Sequence, residues 1–393
     1  MMNLLSRTLS AAVVATVCGA GIGAHAAEAG DRSAFKTVHV FDRDDGSFTT
    51  GVVEGRDGSL YGLTIFGGPN DDGEAFRLSP DGTFDILHEF TGSDGENPFG
   101  RLIQGSDGNF YGTTISGGAS DLGTIFRLAP DGTFTLLHSF GAAGDSDSPF
   151  AGLTQARDGT LYGSTCSDVV GGFDAVFAIT PAGAYRIVYQ FSGDADGYCP
   201  HGELFEANDG LLYGTTLRGG AHGAGTAFSV STAGVHTLLH SFSGGADGDE
   251  LQGGLVQASD GQYYGTTSFG GANGDGTVFR MDAAGNVTTL HDFLEGSGDG
   301  ARPDAGLVDG GDGYLYGTTS YGGAGGKACS LNHCGTVFRI SLDGRLDILH
   351  SFGVTYMGAH PSTLLARISK NRIAGTADWR DGKVQGTIFV LKQ

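Results

Sequence analysis

Short apolar segments, each closed by a turn, follow one another along nearly the whole of this chain. One stretch shows the pattern in full. Gly100 to Gln104, Asn109 to Thr114, Gly123 to Leu128 and Thr133 to Phe140 are β-prone, and Gly, Pro, Asn or Asp punctuates the gaps between them. In the last segment Phe134, Leu136, His138 and Phe140 recur every second residue, which predicts a strand with these four on one face.

The four-segment unit repeats. A Tyr-Gly pair stands at Tyr61, Tyr111, Tyr162, Tyr213, Tyr264 and Tyr316, at intervals of 50, 51, 51, 51 and 52 residues, and a decayed seventh copy reads Ile373-Ala374-Gly375-Thr376. Between segments one and two lies an Asp-Gly, at Asp57, Asp107, Asp158, Asp209, Asp260 and Asp312. Both residues tolerate positive φ, so the pair marks a tight hairpin. A second turn such as Pro80-Asp81-Gly82 joins segments three and four, and Gly-Gly, as at Gly67 and Gly117, separates two and three. The unit therefore reads as a four-stranded antiparallel meander, one blade of a propeller.

The fourth segment occurs seven times, at Val38 to Phe41, Leu87 to Phe90, Leu137 to Phe140, Val188 to Phe191, Leu239 to Phe242, Leu290 to Phe293 and Leu349 to Phe352. The first copy has no blade before it, and the last blade, Ser362 to Gln393, stops after three strands. The expected fold is all-β: a seven-bladed β-propeller of four-stranded antiparallel blades, closed by the N-terminal strand Phe35 to Phe41, which completes the last blade. The blades are placed near 51–90, 100–140, 151–191, 202–242, 253–293, 305–352, and 362–393 with 35–41. An open solenoid shares the period but leaves the split seventh unit without a purpose.

Composition adds the setting. Glycine, 72 of 393 residues, lacks a three-residue period and so indicates turns rather than collagen. Arg7, the apolar run Leu9 to Ala24 and the Ala24-His25-Ala26 triplet read as a signal peptide over 1–26, followed by a linker at 27–34 and a single domain at 35–393. Export to the periplasm or beyond is expected. No later stretch is long and apolar enough for a transmembrane span, and the strand-like end Gly386 to Gln393 carries no anchor. Cleavage removes Arg7 from 22 bases and leaves 21 against 44 acids, a formal charge of −23, which repels nucleic acid and anionic membranes. A monomer is expected.

At this point Leu255-Val256-Gln257, Tyr263-Tyr264-Gly265-Thr266-Thr267, Gly270-Gly271, Gly276-Thr277-Val278-Phe279-Arg280 and Leu290-His291-Asp292-Phe293 resemble the GloVer tandem repeat of choice-of-anchor exported bacterial proteins. The likeness covers nearly all of residues 35 to 393. It implies export and an envelope or surface setting, and it implies no activity.

Features present in every repeat are expected to be scaffold. The strand-four histidines His39, His88, His138, His240, His291 and His350, with Tyr189 in the remaining copy, belong to different blades and cannot converge on one ion. They are expected to bond within or between blades. The ends of the first strands, Glu54, Gln104, Gln155, Glu206, Gln257, Asp309 and Ala366, are expected to form a polar collar around the central channel.

The variable loops joining strands two and three, and strand four to the next blade, emerge on one face. Their acids Asp94, Asp145, Asp147, Asp194, Asp196, Asp247, Asp249 and Asp299 are the candidate ligands for Ca²⁺, a cation that takes six to eight oxygens. Their aromatics Phe66, Phe99, Tyr198, Phe269, Tyr321 and Tyr356 are the candidate binding residues for a glycan, peptide or protein. Non-enzymatic binding is the leading function. The rival is a polysaccharide hydrolase or lyase working with two of the loop carboxylates. No nucleophile elbow, phosphate loop, dinucleotide fingerprint or zinc-protease motif is present, so no catalytic residue is assigned. Four cysteines survive cleavage and are expected to pair as Cys166–Cys199 and Cys329–Cys334.

Overall fold

A computed structural model of the chain describes residues 35–42, 45–167, 173–193, 195–323, 334–353, 360–378 and 386–393. The residues from Ala34 onward form one compact unit. It is a seven-bladed β-propeller, each blade a four-stranded antiparallel sheet. The first blade runs Ser47–Glu54, Leu60–Phe66, Glu74–Leu78 and Phe84–Glu89, so its inner strand begins at Ser47, ahead of the expected 51. The last blade assembles Ala366–Ile368, Arg372–Ala377 and Gly386–Lys392 with Phe35–Phe41, which pairs antiparallel with Gly386–Lys392. The two ends of the propeller are thus zipped in one sheet.

Each Tyr-Gly has a definite task. Tyr61, Tyr111, Tyr213, Tyr264 and Tyr316 are buried and donate from Oη to the Asp of their own hairpin turn, at 2.7–2.9 Å. The same Asp accepts a turn amide, as Asp57 does from Ser59, so one carboxylate closes the turn and satisfies a buried phenol. The glycine leaves room for an aromatic ring: a Cβ on Gly265 would lie 2.6 Å from the Phe279 ring that crosses it.

Strand four departs from simple alternation. Its register slips between Leu136 and His138, and at the matching place in the other blades, so Leu137 is an extra, unpaired residue. A bulge of this kind breaks the period of two. Leu136, expected on the core face with His138, is therefore 40% exposed, while Leu137 packs against the core.

The histidines link the rim of the ring. His39, His88, His138, His240 and His291 meet Asp45, Asp94, Asp145, Asp247 and Asp299 of their own exit loops at 2.8–3.2 Å, and Tyr189 donates to Asp196 at 2.6 Å. Several also stack flat on the ring that opens strand four of the next blade: His39 on Phe84, His88 on Phe134, His138 on Tyr185 and His350 on Phe35, with centroids 3.7–4.1 Å apart. His39, His88 and His138 thus bond inside one blade and pack against another.

Cys166 and Cys199 form a disulfide that ties the end of the second strand of blade three to the segment entering blade four. Cys334 is disulfide-bonded, and Cys329, its expected partner, lies outside the described residues. Among the described residues no helix is long and apolar enough to cross a membrane.

Candidate functional site

In most blades the chain turns toward the axis at one repeated kink. Asn97, Ser148, Cys199, Glu250 and Arg302 all adopt φ of 53–55°, a left-handed conformation rare for side-chain-bearing residues. The following residue is Pro98, Pro149, Pro200, Leu251 or Pro303, and the next points to the axis: Phe99, Phe150, His201, Gln252 or Asp304. These five line a cavity of about 500 Å³ to which all seven blades contribute, together with Phe48, Thr49, Ser362, Thr363 and Asp378. It lies on the face that bears the variable loops.

The residue immediately before the buried Leu or Val of strand one shows which blades are specialised. It is Gly51, Gly152, Gly254 or Gly306 in four blades, but Arg101, Glu203 and Leu364 in the others. Arg101 donates from Nη2 to Glu203 at 3.2 Å, an ion pair between blades two and four that reaches past blade three. Glycine makes the room: a Cβ on Gly152 would stand 2.7 Å from Glu203 Oε1. Arg101 also donates from Nη1 to the Leu365 carbonyl of blade seven.

The walls differ in chemistry. Phe99, Phe150 and His201 pack on one another with centroids 5.4–6.0 Å apart. Burial holds the His201 imidazole below its ordinary pKa and so keeps it neutral at pH 7. Opposite in character, Asp304 accepts from Ser320 Oγ at 2.7 Å and from Gln252 Nε2 at 3.4 Å. Burial pushes its carboxyl above the usual range, against the Ser320 and Ser268 hydroxyls and the charge of Arg302. Asp378 is buried and accepts from the amide and hydroxyl of Thr49.

The expected sites are distributed as follows. Of the candidate binding aromatics, Phe99 lines the cavity. Phe269 and Tyr321 flank the Arg302 guanidinium at 4.6 and 5.0 Å, Phe66 packs on Phe48, and Tyr198 is 38% exposed. Tyr356 lies outside the described residues. The candidate Ca²⁺ ligands are not brought together. Asp94, Asp145, Asp247 and Asp299 serve the histidine of their own blade, Asp196 serves Tyr189, and Asp147 accepts from Ser167. Asp249 bonds through its backbone to Phe269, and Asp194 lies outside the described residues. Burial works against ionisation of Asp145, Asp196 and Asp247, but bonds from His138, from Tyr189 and Ser192, and from Ser243 and His240 outweigh it and hold these carboxyls low. Among the described residues no group of three or more His, Cys, Asp or Glu is placed to hold a metal ion.

Five of the residues expected to form the collar are bonded between blades, and one other is corrected. Glu54, Gln104, Gln155, Glu206 and Gln257 accept backbone amides of the preceding blade, from Ser369, Arg56, Ser106, Arg157 and Asn208, and so stitch blades together. In the seventh blade Arg367, not Ala366, holds this register, because Ala366 pairs with Ala374 as Ile103 does with Tyr111. Arg101, Phe150, His201, Glu203, Gln252, Asp304 and Asp378 escaped the sequence reading. Their signal is departure from the repeat, visible only when the copies are compared for what they do not share.

One further exception lies away from the axis. The threonine pairs Thr114–Thr124, Thr216–Thr226, Thr267–Thr277 and Thr319–Thr336 share a hydrogen bond of 2.8–2.9 Å, but in blade one Thr64 faces Glu74. Burial, with the charges of Glu89 and Asp45 nearby, pushes the Glu74 carboxyl up to about 7. Raised above its unfolded value, it favours folding fully below pH ~4.5 and progressively less as pH rises through ~7. Glu74→Thr is therefore expected to stabilise the protein by about 1–3 kcal/mol at pH 8 and hardly at all at pH 4.5, as read by urea unfolding. The reverse pH order would refute a buried, protonated carboxyl.

The profile of the Gloeobacter/Verrucomicrobia repeat matches residues 28–211 and again 175–389. The chain belongs to that family. No curated protein matches this Gloeobacter/Verrucomicrobia repeat protein. Among solved structures, the periplasmic gluconolactonase of Pseudomonas aeruginosa is 16% identical, with 88% of this chain and 96% of that one covered at a TM-score of 0.50. A puromycin hydrolase is 13% identical at a TM-score of 0.51, covering 88% of this chain and 52% of its own, so the repeat protein spans about half its length. At these identities the likeness is one of fold.

Proposed function

We propose that this is an exported propeller that binds the end of a glycan, without catalysis, in the mouth of its central channel. The observation that carries the reading is that the residue after the repeated kink and the step held by glycine in four blades differ from blade to blade around one cavity of about 500 Å³, while the Tyr-Gly and hairpin-Asp positions of the scaffold repeat. An aromatic platform beside amide and carboxyl groups suits a sugar ring, which offers an apolar C–H face and hydroxyl donors. The volume falls within the range usual for small-ligand sites. Export is supported by the apolar run Leu9 to Ala24 and by the Cys166–Cys199 bridge, which an oxidising compartment preserves.

Calorimetric titration with a panel of oligosaccharides tests it. Phe150→Ala is expected to weaken the best binder by about tenfold, the equivalent of ~1.4 kcal/mol, while leaving the melt within a few degrees. A panel without a binder refutes the reading.

The hydrolase or lyase reading keeps one specific support: Asp304, a carboxyl raised by burial in the same cavity as the Glu203 carboxylate, suits a general acid. Release of reducing ends that Asp304→Asn abolishes without loss of binding would establish it over simple binding.

A further inference from the structure

We propose that a second sugar ring of the bound chain stacks on Phe66, at the lip of the cavity over blade one, an inference that rests on the glycan-binding reading and gives the chain its exit. Two departures from the repeat meet at this place. Ser47 pairs with Phe66 and Thr49 with Thr64, as Glu96 pairs with Ser116 and Pro98 with Thr114, so Phe48 stands at the kink that Asn97 makes in blade two. Phe48 keeps the kink, at φ 57°. The other kink residues are Asn97, Ser148, Glu250 and Arg302, which are polar, and Cys199, which is disulfide-bonded. A bulky apolar residue is a poor choice for a left-handed conformation, and strain of that kind gathers at binding and catalytic sites.

Phe66 is the second departure. Five residues after the Tyr of each repeat, its counterparts are Ser116, Ser167, Arg218, Phe269 and Tyr321. The serines are short, Arg218 is paired with Glu250 at 3.1 Å, and Phe269 and Tyr321 hold the Arg302 guanidinium. Phe66 instead meets Phe48 nearly at right angles, with centroids 5.7 Å apart, and stays 38% exposed. Phe48 and Ile65 both line the cavity, so the exposed ring is continuous with the chamber in which the chain end is placed. An apolar ring left in water and a strained neighbour that supports it both cost stability, and the C–H face of a sugar laid on Phe66 offsets part of that cost by covering the ring. Phe99, Phe150 and His201 take the end of the chain inside the cavity, and Phe66 takes the next ring outside it.

The test is calorimetric titration of the full chain with the mono- to tetrasaccharides of cellulose, chitin and mannan. In a series that binds, affinity is expected to rise about tenfold from the monosaccharide to the trisaccharide and then to level off. Phe66→Ala is expected to remove most of that rise and to leave the affinity of the monosaccharide unchanged, whereas Phe66→Tyr, which keeps the ring, is expected to preserve the rise. Because Phe66 is exposed, both variants are expected to melt within about 2 °C of the full chain, and the dependence on length in the wild type needs no variant. Equal affinity at every length, or a rise that survives Phe66→Ala, would overturn the rim subsite and leave binding in the cavity standing. Absence of binding in all three series would overturn both.

Discussion

A chain that begins after Phe41 is expected to show no cooperative thermal melt, whereas one that begins at Ala34 melts as the full chain does. Removing Phe35–Phe41 strips Gly386–Lys392 of its partner and leaves an unpaired strand edge. Phe41 is fully buried among Val52, Phe76 and Ile388, and deletion of such a ring alone costs about 3–5 kcal/mol. The stacks of Phe35 on His350 and of His39 on Phe84, which join the seventh blade to both neighbours, go with it. These losses together reach the ~5–15 kcal/mol that holds an ordinary domain folded. Circular dichroism of both truncations decides the matter, and a peptide of residues 35–41 added in trans is expected to restore part of the melt. An unchanged transition in the shorter chain would refute closure by this strand.

Reduction of Cys166–Cys199, or replacement of both residues by serine, is expected to destabilise the protein by about 3–4 kcal/mol. The estimate follows from the 33-residue separation, since a bridge acts chiefly by limiting the unfolded chain. The consequence is not confined to stability. Cys199 is the left-handed residue that turns the chain into Pro200 and His201, and its amide donates to the half-buried Asp174. Loosening this corner loosens one ring of the aromatic platform. Denaturant unfolding with and without reductant measures the first effect, and calorimetry with the best oligosaccharide measures the second. A loss of stability without any loss of affinity would separate the bridge from the site.

The fold was legible because it is stated many times over. A hairpin signal such as Asp107-Gly108 is weak alone, but its recurrence at a fixed interval with Tyr-Gly four residues later leaves few architectures open. Two details were lost for the same reason. The bulge at Leu137 has no marker in residue type, so alternation placed Leu136 inward. The decayed last copy hid that Arg367 stands where the other blades carry Gln, Glu or Asp. The site was harder to read because repetition directs attention to what is shared. Phe99 was found as a loop aromatic, yet Arg101, two residues on, resembles any charged residue until it is set against Gly152, Gly254 and Gly306. Nor does sequence disclose that Asp94 or Asp247 is committed to a histidine, since the partners lie six and seven residues back across a loop of changing length.

The Arg101–Glu203 pair joins blades that do not touch in sequence order, and glycine at the same step of other blades keeps the space open. The stitches from Glu54 to Gln257 lie elsewhere on the inner strands and depend on none of these axial side chains. Seven copies of one segment therefore supply a single chamber with seven separately editable letters. A lineage that duplicates the repeat can rewrite its specificity one letter at a time while the weave that holds the ring stays as it was.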